Sequence, residues 1–296
     1  MPSLNDEATW PREILDRDYN ARASVPPAVF EEAIGRYRSD SEKVAGHLDF
    51  GDVVYDEESG QTLDIYGAGK TDGAQAEGLR PVFVFIHGGY WRLLSKQDSA
   101  FMAAMLDEQG IATAVVDYRL APAVSLHEIV REVRAAIAFL WHQGRSYGLD
   151  PERIYVGGSS AGGHLAAAVV SGGWHEAFDV PSTVVKGAMP LSGLFHLGPI
   201  AHSFVQEWLS LDADAVEQLS PAELLPDAGC PLFIAYAQGE PAGFKRQSQA
   251  YARLWQEAGF PAQLVEVEGR NHFDLPLDLM DPDSELSRAL IGMINR

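Results

Sequence analysis

The sequence predicts an α/β protein with a mostly parallel central sheet and helices on both of its faces. Two observations carry that expectation. Short β-branched or aromatic runs recur along the chain, several of them apolar throughout, and helical patterns lie between them. A strand covered on both faces has no polar side to present, so continuous apolar runs fit a parallel sheet. Alternation of such strands with helices is the pattern of a doubly wound fold.

Taken in order, residues 1–46 are polar with helical patches and read as an N-terminal arm contributing to a cap. Residues 47–296 read as the α/β domain. Residues 52–55 and 62–66 flank Glu58-Ser59-Gly60 and predict an antiparallel hairpin at the sheet edge. The Gly/Ala/Asp-rich stretch 67–78 reads as a solvent-exposed loop. Strands are expected at 82–86, 111–116, 154–156, 186–191, 232–236 and 263–267. The clearest helix carries Leu126, Ile129, Val130, Val133, Ile137, Leu140 and Trp141 at three-four spacing and ends near Gly144. Two more, 101–109 and 244–258, each run into a glycine, Gly110 and Gly259, where a left-handed residue closes a helix. Residues 193–226, with Leu194, Ile200, Phe204 and Leu209, interrupt the strand spacing and predict a short helical cap insertion.

Composition narrows the function classes. The chain of 296 residues is 46% hydrophobic and 22% charged, which is ordinary for a globular protein with a sizeable core. Its 22 Lys and Arg face 42 Asp and Glu, for a net charge of −20. Such a surface repels phosphate backbones, so neither nucleic acid nor an anionic membrane is an expected partner. Cys230 is the only cysteine, which excludes an internal disulfide and a Cys-based metal site; it is expected to be a buried, inert thiol. No H-E-x-x-H or comparable spacing occurs, so no metal or other cofactor is expected. The first residues hold no basic or apolar targeting region and no run approaches bilayer-spanning length, so a cytoplasmic protein is expected.

The chemistry starts at Gly158-Ser159-Ser160-Ala161-Gly162, a G-x-S-x-G match entered by a β-forming run and left by a small-residue helical run. In that strand–turn–helix setting a serine sits on a sharp turn with its Oγ exposed. Only Ser160 has glycine at both −2 and +2, where larger side chains would collide, and a flanking glycine also tolerates positive φ. Serine is a weak nucleophile until a base takes its proton and a third group holds that base in the right tautomer. In α/β-hydrolases these follow in the order Ser, Asp or Glu, His. His272 follows the last expected strand and is the only histidine beyond residue 202. Glu240 is the only carboxylate in the turn after 232–236, whereas Asp274 and Asp278 come after His272, in the wrong order. The oxyanion of a tetrahedral intermediate needs N–H donors. Ala161, at the start of a helix, is one candidate; Gly88 and Gly89, in His87-Gly88-Gly89-Tyr90-Trp91 directly after 82–86, are the others. His87 reads as a brace for that loop. Tyr90, Trp91, Phe195, Trp208 and Phe273 are the candidate pocket residues.

These motifs carry a resemblance. His87-Gly88-Gly89-Tyr90-Trp91 is similar to the H-G-G-x-W of kynurenine formamidases (arylformamidases), where hormone-sensitive-lipase-like esterases have H-G-G-G. Asp117-Tyr118-Arg119-Leu120-Ala121-Pro122 resembles the D-Y-R-L-A-P of those esterases, and the G-x-S-A-G-G from Gly158 to Gly163 is shared by both groups. Ser192-Gly193-Leu194-Phe195 and Phe244-Lys245-Arg246-Gln247-Ser248 are similar to segments of bacterial arylformamidase-like hydrolases, whose acid lies four residues before that Phe, at Glu240. The resemblance spans roughly residues 50–290. It departs in carrying Glu where many relatives have Asp, and Tyr90 where the lipase-like motif has its third glycine. It implies a serine hydrolase of the α/β-hydrolase fold acting with water on a small carboxylic ester or an aryl formamide. An amidase or peptidase using the same triad, and a non-catalytic member of the fold that binds a small ligand, are the alternatives.

Overall fold

The computed structural model describes residues 4–69 and 78–296, so most of the loop expected at 67–78 lies outside the described residues. Helices α1 (Leu4–Glu7), α2 (Arg12–Asp18) and α3 (Pro27–Lys43) precede the sheet. Strands β1 (Leu48–Asp56) and β2 (Gln61–Tyr66) form the expected hairpin. Then come β3 (Arg80–Ile86), α4 (Ala103–Glu108), β4 (Ala112–Val116), α5 (Leu126–Gln143), β5 (Leu149–Ser159), α6 (Ala161–Val170) and β6 (Val185–Leu191). Three short helices follow, α7 (Gly198–Ala201), α8 (Gln206–Leu209) and α9 (Ala213–Leu219). The chain then returns to the sheet through β7 (Leu232–Ala237), α10 (Ala242–Glu257) and β8 (Ala262–Val267) and ends on α11 (Glu285–Ile294).

Among the described residues these strands make one eight-stranded sheet in the order β1-β2-β4-β3-β5-β6-β7-β8. β2 pairs antiparallel with β1 and β4, and every other pairing is parallel. Alternation along β3 explains why both faces are covered. Val82, Val84 and Ile86 point into a core shared with α5, α6 and α10, while Phe83 and Phe85 point into one shared with α4 and α11.

Two elements differ from the sequence reading. β5 runs well past 154–156 on both sides. Gly157 and Gly158 are poor strand formers, but β5 is central, and they pair with Phe85 and Ile86 of β3 and with Met189 and Pro190 of β6. Position in the sheet overrides propensity there. The sequence reading did not include α11, although its signals are present: Ser284 accepts the Ser287 N–H as N-cap, and Leu286, Leu290 and Ile294 fall four apart and are buried.

The apolar residues of the 193–226 segment join the main core; Leu194, Phe195, Leu197 and Ile200 are fully buried. The N-terminal helices dock on α10 through Arg246, whose Nη2 lies 2.6 Å from Glu7 Oε1 and 2.7 Å from Asp18 Oδ2. The Tyr19 hydroxyl donates to Glu7 (2.8 Å) and accepts from Gln247 Nε2 (3.1 Å). A buried ion-pair network of this kind is costly to break one partner at a time, because the remaining charges stay desolvated. No helix among the described residues is long and apolar enough to cross a membrane.

Candidate active site

Ser160 stands at the turn from β5 into α6 with φ 60° and ψ −118°, a conformation costly for a residue with a Cβ. The surroundings hold it there. Its N–H donates to Leu191 O (2.8 Å), and its carbonyl accepts the His164 N–H (3.0 Å). The positive φ thus falls on the serine, not on the flanking glycines. Those glycines matter for their size: a Cβ on Gly158 would stand 2.6 Å from the Ile86 carbonyl oxygen. Ser159 ends β5, paired with Leu191, which leaves Ser160 at the elbow itself.

His272 lies in the loop after β8 and Glu240 in the turn after β7. Both are buried, and His272 Nδ1 lies 3.5 Å from Glu240 Oε1. That oxygen already accepts the Ala237 N–H (3.1 Å) and a hydrogen bond from the Ser192 hydroxyl. Among the described residues Glu240 Oε2 and His272 Nδ1 have no hydrogen-bond partner, so a small rotation of either side chain engages the pair. The Phe244 ring packs 4.4 Å from the imidazole and limits its tilt. Sequence reasoning did not assign a role to Ser192. Its signal was its place at the end of β6, the strand next to β7.

The Gly88–Gly89 turn abuts the serine. A Cβ on Gly88 would lie 2.7 Å from Ser159 O and 3.4 Å from Ser160 Cβ, so only glycine brings this backbone so close. Gly89 has φ +92°, and the loop continues with Tyr90, Trp91 and Leu94 also at positive φ. Ala161 is the first residue of α6, so its N–H has no intrahelical acceptor. His87 is buried as a brace: it stacks on Tyr118 at 4.1 Å, and its Nδ1 lies 3.0 Å from Gly88 O. Burial holds its pKa down to about 4, so it is a neutral ring at neutral pH.

Ser160 and His272 open onto one cavity of about 370 Å³. Of the five candidate pocket residues, Tyr90 and Phe273 line it, and Trp91, Phe195 and Trp208 do not. Each of those three is spent on packing. Trp91 is fully buried, its indole N–H donating to His164 Nδ1 (3.3 Å). Phe195 stacks on Tyr251 at 4.3 Å with the planes 6° apart. Trp208 sits behind Tyr90, donating to its carbonyl oxygen (3.0 Å). The N-terminal arm also lines the cavity, through Arg22, Phe30, Ile34 and Tyr37. Phe30 meets Phe273 edge-on at 4.9 Å, and the Tyr37 hydroxyl donates to Phe273 O (2.6 Å).

The remaining histidines stand apart from this chemistry. His164 is buried in α6, with Nε2 on Leu219 O (2.8 Å), and His127 and His142 are exposed. Among the described residues no group of three or more His, Cys, Asp or Glu is placed to hold a metal ion. Cys230 is half-buried, and desolvation pushes its thiol up to about 12.

The BD-FAE family model matches residues 63–186 of this chain. The kynurenine formamidase of Danio rerio is 32% identical over 250 residues, covering 83% of this chain and 82% of that protein. The isoprenylcysteine alpha-carbonyl methylesterase of Arabidopsis thaliana is 29% identical, covering 82% of this chain and 61% of that protein. Among solved structures, an esterase of Pyrobaculum calidifontis superposes with a TM-score of 0.68 at 20% identity, over 96% of this chain and 95% of that one. At that identity the likeness shows the fold.

Proposed function

The chain belongs to the kynurenine formamidase family, with an α/β-hydrolase fold, and from that premise we propose that it cleaves a small carboxylic ester or an aryl formamide through an acyl-enzyme on Ser160. Ser160 Oγ attacks the carbonyl carbon while His272 Nε2 takes its proton. Glu240, on the Nδ1 side of the ring, fixes the tautomer and stabilises the imidazolium. The N–H groups of Gly88, Gly89 and Ala161 receive the developing oxyanion, the last helped by the α6 dipole. Collapse of the tetrahedral intermediate expels the alcohol or amine, which takes the proton from His272. Water, deprotonated by the same imidazole, then attacks the acyl carbon and releases the acid and Ser160.

One observation supports this reading above the rest. Ser160 and His272 face a single cavity beside the Gly88–Gly89 turn, with the Glu240 carboxylate 3.5 Å behind the imidazole. A lined volume of about 370 Å³ suits an aryl group or a short acyl chain. In Ser160→Ala the hydroxyl that becomes the ester oxygen is gone. Its kcat on 4-nitrophenyl acetate and N-formylkynurenine should fall by roughly 10³-fold or more, with an unchanged far-UV spectrum. Wild-type turnover by that variant would sink the proposal. Comparing the two substrates with an aminoacyl anilide separates ester, formamide and amide cleavage.

A further inference from the structure

We propose that Arg22, from the N-terminal arm, makes the cavity selective for substrates that carry a carboxylate, an inference that rests on the hydrolase reading and names its substrate class. Arg22 is the one side chain with a fixed positive charge among those lining the cavity, whose wall is otherwise mostly apolar. It is also uncommitted. The other arginines of the arm all have acidic partners: Arg12 with Glu207 (2.8 Å), Arg17 with Asp18 (2.8 Å), Arg36 with Asp40 (3.1 Å) and Arg38 with Asp98 (2.8 Å). Arg22 has no carboxylate partner among the described residues; its Nη1 makes one long contact to Val25 O (3.4 Å).

Its place is defined nevertheless. The guanidinium lies 4.3 Å from the centroid of the Phe30 ring, and Phe30 meets Phe273, the residue after His272. A planar guanidinium over an aromatic ring keeps its N–H edge free, and that edge is the part that recognises a carboxylate. The competing charge inside the cavity is small. Asp98, the one carboxylate in the lining, is engaged by Arg38 and by the Ser95 hydroxyl (2.8 Å), and His87 is neutral. In a chain of net charge −20, an anion approaching the surface is repelled almost everywhere else. The uncommitted cation at this cavity therefore selects for charge in a way the apolar wall cannot.

The test pairs each anion with a neutral counterpart of similar shape, on either side of the scissile bond. Mono-4-nitrophenyl succinate against 4-nitrophenyl butyrate places the charge on the acyl side. Acetylsalicylate's para isomer, 4-acetoxybenzoate, against its methyl ester places it on the leaving group. Arg22→Gln should lower kcat/KM about fivefold for the anion of at least one pair, a typical size for one partly solvated charge, and leave the neutral partner within about twofold. Arg22→Lys should keep most of the preference, and salt should erode it in the wild type and in Arg22→Lys but leave Arg22→Gln unmoved. An unchanged anion-to-neutral ratio in both pairs overturns the assignment. So does an equal loss for both members of a pair, which marks a packing role for the arm. Calorimetric binding of benzoate and benzamide judges Arg22 without turnover. Wild type should bind benzoate about fivefold tighter than Arg22→Gln does, with benzamide unaffected. A wild type that cleaves neither the four esters nor N-formylkynurenine yet shows that difference loses the hydrolase reading and keeps the anion site; equal benzoate binding overturns the site.

Discussion

Glutamate is one methylene longer than aspartate, so a carboxylate at residue 240 has an extra torsion to fix before it can hold His272. Ser192 fixes it. The serine is fully buried with φ 49°, its N–H donates to Ala235 O (2.8 Å), and its hydroxyl donates to Glu240 Oε1. A buried residue kept at positive φ signals that the surroundings impose its position. Hydrogen bonds to a charged group are worth about 1.5–3 kcal/mol, which converts to roughly a tenfold to hundredfold effect on a step that depends on the ion. Ser192→Ala should therefore lower kcat by roughly tenfold or more with KM nearly constant. If only the melting temperature falls and kcat stays put, Ser192 is packing and nothing more.

At the scale of elements, the 88–94 loop is held from outside itself. Gly89, Tyr90, Trp91 and Leu94 all have positive φ, and such a run does not stay formed alone. Bonds from outside tie it down: Tyr118 hydroxyl to Gly88 O (3.3 Å), Trp91 to His164, Ala121 N to Trp91 O (2.7 Å), Trp208 to Tyr90 O, and the Tyr90 hydroxyl to the carbonyl oxygen of Tyr19. The last joins the loop to the N-terminal arm. Tyr90→Phe should cost only about 1 kcal/mol in stability but lower kcat roughly fivefold on every substrate, because the Gly88 and Gly89 donors drift from the oxyanion position. An unchanged kcat would show that the arm does not tune the loop. The same elements show what was legible in the chain. Strands such as β3 were legible because burial on both faces leaves them apolar throughout, and the nearness of His272 to Glu240 and to the cavity at Ser160 because chain order along the sheet brings those turns together. The cavity wall was not. α3 contributes Phe30, Ile34 and Tyr37 to it from a largely polar helix, and nothing in its periodicity says which strand ends it faces. Trp91 and Phe195 failed as pocket residues for the converse reason: a large aromatic side chain beside a site packs into the core as readily as into the pocket.

Across the whole molecule, two buried neutral histidines set how stability responds to acid. Burial holds His87 and His164 down to about 4, while an unfolded chain protonates each near its ordinary value of about 6.5. Below that value the unfolded state binds protons that the folded state refuses. The stabilisation is therefore complete above pH 6.5 and is lost as pH falls toward 4, by up to ~3 kcal/mol for each ring. Burial raises the carboxyls of Asp117, Glu132 and Asp274, and these work the other way, since they accept protons earlier when folded. Paired carboxylates such as Asp56 and Asp107 are held low and add their own loss only at more acidic pH. Between pH 6.5 and 5 the imidazoles therefore pull stability down with acid, and the raised carboxyls offset part of that loss. Urea unfolding across that window should show stability falling with acid, His87 and His164 each adding up to one proton taken up on unfolding to what His175 and His196, also held low by burial, contribute. His164→Gln, which keeps a donor for Leu219 O, should be less stable at pH 7 because the Trp91 bond is weakened, yet its slope should be shallower by about one proton. An equal slope in wild type and variant would mean that His164 is not the group being titrated.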